Sequence, residues 1–199
     1  MEPFSERQEQ IINASIELIS EQSIQALTIK NIAKKINVTD GAIYRHFPSK
    51  TSILLGIILP FQQQAEKTLK EACSLKIPAI AQLESIFTRH FEYFDKKPAV
   101  TAVIFSESIF QNDSHLAKEV FKLLEIHEKA LSCIIERGHK HHEIRNDIPE
   151  KELIRVILGS MRYTVTKWRL SNYSFDLMAE GALMLDCLKK ILSTTTAVL

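Results

Sequence analysis

Glycine is scarce in this chain: five residues in 199. So few leave little room for the glycine-rich loops that cradle nucleotide phosphates, and neither a G-x-S-x-G nucleophile turn nor an H-E-x-x-H metal pair occurs. An enzyme is therefore the alternative class and not the expected one, and the reading requires no cofactor and no metal. Cysteine is also rare. Cys73, Cys133 and Cys187 are odd in number and far apart in sequence. They offer neither a disulfide framework nor zinc-ligand spacing and are read as reduced thiols of a cytoplasmic protein. Long apolar runs are missing as well. The longest, "ILLGIILPF" from Ile53 to Phe61, is too short to span a bilayer. The first ten residues, "MEPFSERQEQ", are polar and acidic, unlike a secretory signal. No membrane association is expected.

Hydrophobic residues make up 45% of the chain and charged ones 25%, a balance that suits a globular protein. The net charge of +1 points to no partner, but its distribution does. Residues 1–27 carry Glu2, Glu6, Glu9, Glu17 and Glu21 against Arg7 alone. Residues 28–50 carry Lys30, Lys34, Lys35, Arg45 and Lys50 against Asp40 alone. A basic stretch of that kind is the electrostatic footprint of a phosphate partner.

Apolar residues recur at helical spacing nearly everywhere, with no strand pattern and no repeat. Ile12, Ile16 and Ile19 mark a first helix, and Ile29, Ile32, Ala33 and Ile36 a second. Thr28 is placed to cap the second helix. Asn37 can take the left-handed conformation that ends it, and Thr39 can cap a third, which Pro48 stops. Helix, tight turn, helix is the helix-turn-helix arrangement, whose second helix enters the DNA major groove. On that helix Asp40, Gly41, Tyr44 and Arg45 share one face, while Ile43 and Phe47 point to a small core.

The string "LTIKNIAKKINVTDGAIYRHFPSKTSIL" resembles the DNA-binding signature of the tetracycline-repressor (TetR) family of bacterial regulators. The resemblance covers about the first 55 residues. Two positions depart from it: Ser23 and Asn37 stand where the family usually has glycine. The resemblance implies an all-α protein, with a helix-turn-helix DNA-binding domain over 1–50 and a helical effector-binding and dimerisation domain over 51–199. It implies a ligand-responsive homodimeric repressor on a palindromic DNA operator. The alternative is a DNA-binding scaffold governed by a protein partner. Arg45 can read guanine bidentately, and Asp40 can accept from cytosine N4. Gly41 allows close backbone approach. By resemblance Thr39, Tyr44 and His46 contact phosphates or sugars, with Thr28 at the head of the second helix in the same site. Lys50 adds a phosphate contact from the next helix.

Beyond Ser49 the pattern gives long helices broken near Pro78, Lys97–Pro98, Asn112–Asp113, Gly138 to Pro149 and Ser171–Asn172. Two late helices carry stripes, Ile154, Ile157, Leu158, Met161 and Val165 on one and Met178, Gly181, Ala182, Leu185 and Leu188 on the other. Each stripe can close a core within the chain or meet a twin, and the resemblance favours a homodimeric four-helix bundle. Phe87, His90, Phe91 and Phe94 form another stripe, with Phe105, Phe110 and Phe121 on the segments that follow. These line either a plain core or a pocket for an unidentified small-molecule effector, apolar or aromatic, anchored by His90. The tract His139, His141, His142 and Glu143 is either a metal site or a solvated loop after a helix stop at Gly138.

Overall fold

The computed structural model describes residues 4–106 and 113–194. Among them the chain is helical, with no strand beyond an isolated bridge between Ile144 and Ser193. The nine described helices are α1 (Glu6–Gln22), α2 (Ile29–Lys35), α3 (Asp40–Tyr44), α4 (Lys50–Ser74), α5 (Ala79–Lys96), α6 (Pro98–Ile104), α7 (Ser114–Lys140), α8 (Glu150–Leu170) and α9 (Leu177–Leu192). A short 3-10 turn, Ile24–Ala26, joins α1 to α2.

The chain divides into two compact units, but not at residue 50. One comprises Met1–Gln62 with Lys97–Val120, the other Gln63–Lys96 with Phe121–Leu199. The cut expected from sequence follows the end of a motif. The structural division falls inside α4 and inside α7, because a long helix can serve two cores in turn.

In the first unit α1 to α4 each start on a side-chain cap. Ser5 and Gln8 form a capping box for α1: Gln8 N donates to Ser5 Oγ at 3.3 Å and Ser5 N to Gln8 Oε1 at 3.0 Å. Thr28 Oγ1 accepts from Asn31 N at 3.1 Å and Thr39 Oγ1 from Ala42 N at 3.3 Å. Ser49 and Ser52 cap each other's amides at the head of α4, both at 3.1 Å. Asn37 is left-handed, with φ of 53°. Ser23, which ends α1, has φ of 97° and ψ of 169°, a region almost reserved for glycine. Ile11, Leu27, Ile32, Ile43 and Ile53 are fully buried and close this core. Helix α6 packs on α1. Thr51 donates to the Asp113 carboxylate, which also accepts the His115 and Leu116 amides at 3.0 and 3.1 Å at the start of α7. Those donors, Thr51 first, hold Asp113 below the usual carboxylate range.

The second unit is built on α9, which packs against α5 and α8. Phe87, Phe91, Ile86, Leu131, Ile157, Val165 and Leu177 are buried there. Gly181 is where α9 comes closest to α5: an added Cβ would sit 2.5 Å from Phe91 Cδ2. Gly138 does not stop α7, as the sequence suggested. The helix runs on to Lys140, and the left-handed residue that ends it is His142, with φ of 57°. Gly138 is instead a packing residue, since a Cβ there would meet the Ile144 side chain at 2.7 Å. Arg145 N then donates to Leu192 O at 2.8 Å and clips this connection to the end of α9.

Candidate DNA-reading surface and effector core

Helix α3 stands on its buried face. Ile43 is fully buried and Phe47 nearly so, so this short helix cannot roll without opening the core. That fixes what its other side presents. Asp40, Gly41, Tyr44 and Arg45 are all exposed there, Tyr44 to 52%. Thr28, Thr39 and Lys50 are exposed beside them, while His46 is half-buried, its carbonyl facing Gln8 Nε2 at 3.5 Å.

Gly41 is the informative member. An added Cβ would meet nothing nearer than Thr39 Oγ1 at 4.0 Å, and its φ is not positive. No turn and no internal packing requires glycine here, and glycine lowers helix stability. The missing side chain leaves room for something outside the chain, as a backbone approaching base edges needs.

The basic footprint is smaller than the sequence count. Lys35 is held at 3.1 Å by both Glu17 and Glu21 of α1 and is half-buried. Hydrogen bonds that it donates to Glu21 and then Glu17 raise its pKa, so its charge is matched within the chain. Lys30, Lys34, Arg45 and Lys50 remain exposed. Burial around the Lys50 side chain lowers its ammonium from the ordinary value, and a phosphate beside it would push it back up.

The aromatic stripe of α5 lies in the second unit and is fully interior: Phe87, His90, Phe91 and Phe94 are all buried. Phe105, half-buried at the end of α6, belongs to the first unit instead. Phe121 is 60% exposed and lines no interior. Phe110 lies outside the described residues. The expected ring of seven therefore reduces to the four on α5. A stripe on one helix is legible in sequence, whereas rings on separate segments are brought together only by packing.

His90 has a partner that the sequence reading missed. Its Nε2 lies 2.8 Å from Nε2 of His127 on α7, and both are buried. Each Nδ1 faces a carbonyl one turn earlier, Ile86 O at 2.6 Å and Leu123 O at 2.7 Å. Two neutral rings bring two protons to three contacts, so a third proton would complete the set. Burial opposes it. His90 is pushed down to about 3 by burial and then by the His127 charge, and His127 is lowered by burial. The signal was available: His127 falls on the apolar stripe of Leu116, Leu123 and Leu131.

A slot in the same unit is lined by Leu83, Phe87, Ile157, Leu185 and Leu188, with Glu84 and Lys189 at its rim, 2.8 Å apart. Its cavity of about 10 Å³ scarcely holds one water.

The helices assigned to dimerisation present a different face from the one the stripes suggested. Ile154, Ile157, Met161, Val165, Gly181, Leu185 and Leu188 are buried within the chain, Leu158 and Met178 half-buried, and only Ala182 is exposed. The stripes close this unit's own core, which an amphipathic helix does first. A second apolar face is left outside: Val156, Gly159 and Tyr163 on α8, with Leu183 on α9. Tyr163 and Leu183 are 68% and 66% exposed, and nothing lies within 4 Å of where a Gly159 Cβ would be.

In the histidine tract Glu143 accepts the Ala79 amide at the start of α5. Among the described residues no group of three or more His, Cys, Asp or Glu is placed to hold an ion. No described helix is long and apolar enough to cross a membrane.

Comparison with known proteins covers both units. The family model described as bacterial regulatory proteins, tetR family, matches residues 11–57. A second, described as YsiA-like protein, C-terminal region, matches 61–190. The fatty acid metabolism regulator protein of Bacillus subtilis is 26% identical over 179 residues, 90% of this chain and 92% of the relative. The nucleoid occlusion factor SlmA of Actinobacillus pleuropneumoniae is 25% identical over 172 residues, 86% of this chain and 85% of the relative. Among solved structures, the regulator FadR from B. subtilis in complex with stearoyl-CoA superposes with a TM-score of 0.75 at 25% identity, covering 90% of this chain and 96% of that one.

Proposed function

The chain belongs to the tetR family of DNA-binding transcriptional regulators, and on that footing we propose that it is a cytoplasmic homodimeric repressor released from a palindromic operator by a long-chain acyl-CoA. Membership in a family of regulators removes the enzyme alternative. The observation that carries DNA reading is the α3 face, where Gly41 leaves open space between exposed Asp40, Tyr44 and Arg45. Arg45 and Asp40 are the base readers in this scheme. Thr28, Thr39, Tyr44, His46 and Lys50 hold phosphates and sugars. Two α3 faces related by a two-fold axis match a palindrome.

The acyl-CoA assignment draws on the B. subtilis relatives, one named for fatty acid metabolism and one solved with stearoyl-CoA. One feature supports it: the interior between α5, α8 and α9 is apolar, as an acyl chain requires. Lys189 at its rim is paired with Glu84 and Asp186, so an anionic headgroup would have to displace them. The cavity is nearly closed, so a chain enters only by parting these helices. A ligand that binds the parted state better shifts the equilibrium away from the closed one.

The test uses purified protein and a pool of random duplex DNA. Selection should enrich a palindrome, and stearoyl-CoA should then lower affinity for it. Failure to enrich any sequence would refute the DNA-reading assignment. An enriched operator that is indifferent to acyl-CoAs of every chain length would refute the effector assignment alone and favour control by a protein partner.

A further inference from the structure

Cys73 and Cys133 stand 60 residues apart in sequence, yet the second unit brings them together. Cys73 lies in the last part of α4 and meets α7 at two positions of one face. Its Sγ lies 3.9 Å from Ala130 O. Its carbonyl accepts from Arg137 Nη1 at 3.1 Å. Cys133 falls between these two, three residues after Ala130 and four before Arg137, so it lies on the face of α7 that Cys73 meets.

Their surroundings differ. Cys73 is half-buried and Cys133 exposed. An exposed cysteine adds little to a core, so packing does not account for Cys133. Burial, and then the neighbouring Cys133 sulfur, hold the Cys73 thiol above its ordinary value, with Arg137 pulling the other way. Cys73 therefore keeps its proton at neutral pH and donates it toward Ala130 O. The sulfur that meets solvent is Cys133. This division of labour, an accessible attacking sulfur backed by a protonated one, is that of a dithiol exchange pair.

We propose that Cys73 and Cys133 form a reversible thiol–disulfide site that exchanges with low-molecular-weight disulfides. The Cys133 thiolate attacks one sulfur of a small disulfide, breaks its S–S bond and expels a thiolate, leaving a mixed disulfide on Cys133. Cys73 loses its proton and attacks Sγ of Cys133, and the second small thiolate departs. The two protein thiols are oxidised by two electrons, the small disulfide is reduced to two thiols, and the two protons pass to the departing sulfurs. The product ties α4 to α7 within the second unit, a link that neither helix supplies by backbone bonding. Nothing in the proposal depends on which effector or operator the protein uses.

The test is a redox titration of the full chain carrying Cys187→Ser, which removes the other exposed thiol. The protein is equilibrated with set ratios of oxidised to reduced glutathione, acid-quenched, alkylated and mapped by peptide mass. The expected product is one crosslinked peptide pair containing Cys73 and Cys133, two hydrogen atoms lighter than the reduced pair and restored by dithiothreitol. With Cys73→Ser the same treatment should instead leave glutathione on Cys133. Three results would overturn the proposal: a lasting glutathione adduct on Cys133 with Cys73 intact, both thiols still alkylated at every ratio, or a bridge between chains on a non-reducing gel. The mapping of the chain with Cys73 and Cys133 both present decides the matter even if the Cys73 variant fails to fold.

Discussion

A Cβ built on Gly181 would lie 2.5 Å from Cδ2 of Phe91 and 2.7 Å from Cε2. Helix α9 is thus seated on a fully buried aromatic ring that has nowhere to move. Gly181→Ala should force α9 and α5 apart and cost about 1–3 kcal/mol as an overpacked core does, lowering the midpoint of urea unfolding. An unchanged midpoint would mean that the ring has room after all.

The reading face separates into three kinds of residue. Gly41→Ala should raise stability by up to ~1 kcal/mol, since the helix gains a better former, yet weaken the operator complex. Arg45→Ala should cost ~1–3 kcal/mol on the preferred operator and relax the choice at one base pair. Lys50→Ala should weaken all sequences alike and reduce the salt slope by about one unit per half-site. The measurement is binding to single-base operator variants at several salt concentrations. If Lys50→Ala changes base preference while Arg45→Ala does not, the two roles are exchanged.

The proposed homodimer is expected to meet through the outer face of α8 and α9. Leu183→Glu sits on an exposed residue and should give folded monomers in sedimentation, with operator affinity reduced by at least tenfold. Leu185→Glu, two positions on, is buried and should unfold the chain instead. Folded monomers from Leu185→Glu, or a full-strength dimer from Leu183→Glu, would reverse the two faces.

These contrasts also mark how far the sequence was legible. The helix-turn-helix could be read because its signals are local: Thr28 and Thr39 cap helices that begin one residue later, and Asn37 makes its own turn. The stripe on α5 was legible for the same reason. What could not be read was which of two apolar faces each late helix turns inward. Leu183 and Leu185 are equally apolar, and only packing decides between them, Leu185 lining the slot with Phe87 and Ile157. The Lys35 ion pairs and the contact between the His90 and His127 rings are likewise products of long-range packing. Residue 50 looked like a boundary because a motif ends there, not because contacts do.

The buried histidine pair gives the protein an acid limit. His90 has a folded pKa near 3, well below the ~6.5 of an unfolded histidine. The unfolded state therefore binds more protons between those values. Stability from this source is complete above about pH 6.5 and is lost as pH falls toward 3, by about 2 kcal/mol at pH 5 for one such residue. A chain carrying His90→Gln and His127→Gln should show a smaller fall in Tm between pH 7 and pH 5, whatever its absolute Tm. An equal fall would place the acid sensitivity elsewhere.

Ser23 carries an engineering consequence. A serine held at φ 97° and ψ 169° bears a backbone cost of order 1–3 kcal/mol that glycine would not. Evolution has left that reserve unspent at the joint between α1 and α2, on a residue outside the α3 reading face. Ser23→Gly, less the chain entropy that glycine adds to the unfolded state, should raise Tm by a few degrees with base preference unchanged. The natural protein is thus one substitution away from a hardier DNA-binding module. Such a variant would suit sensor or scaffold uses in which the first unit must outlast changes made to the second.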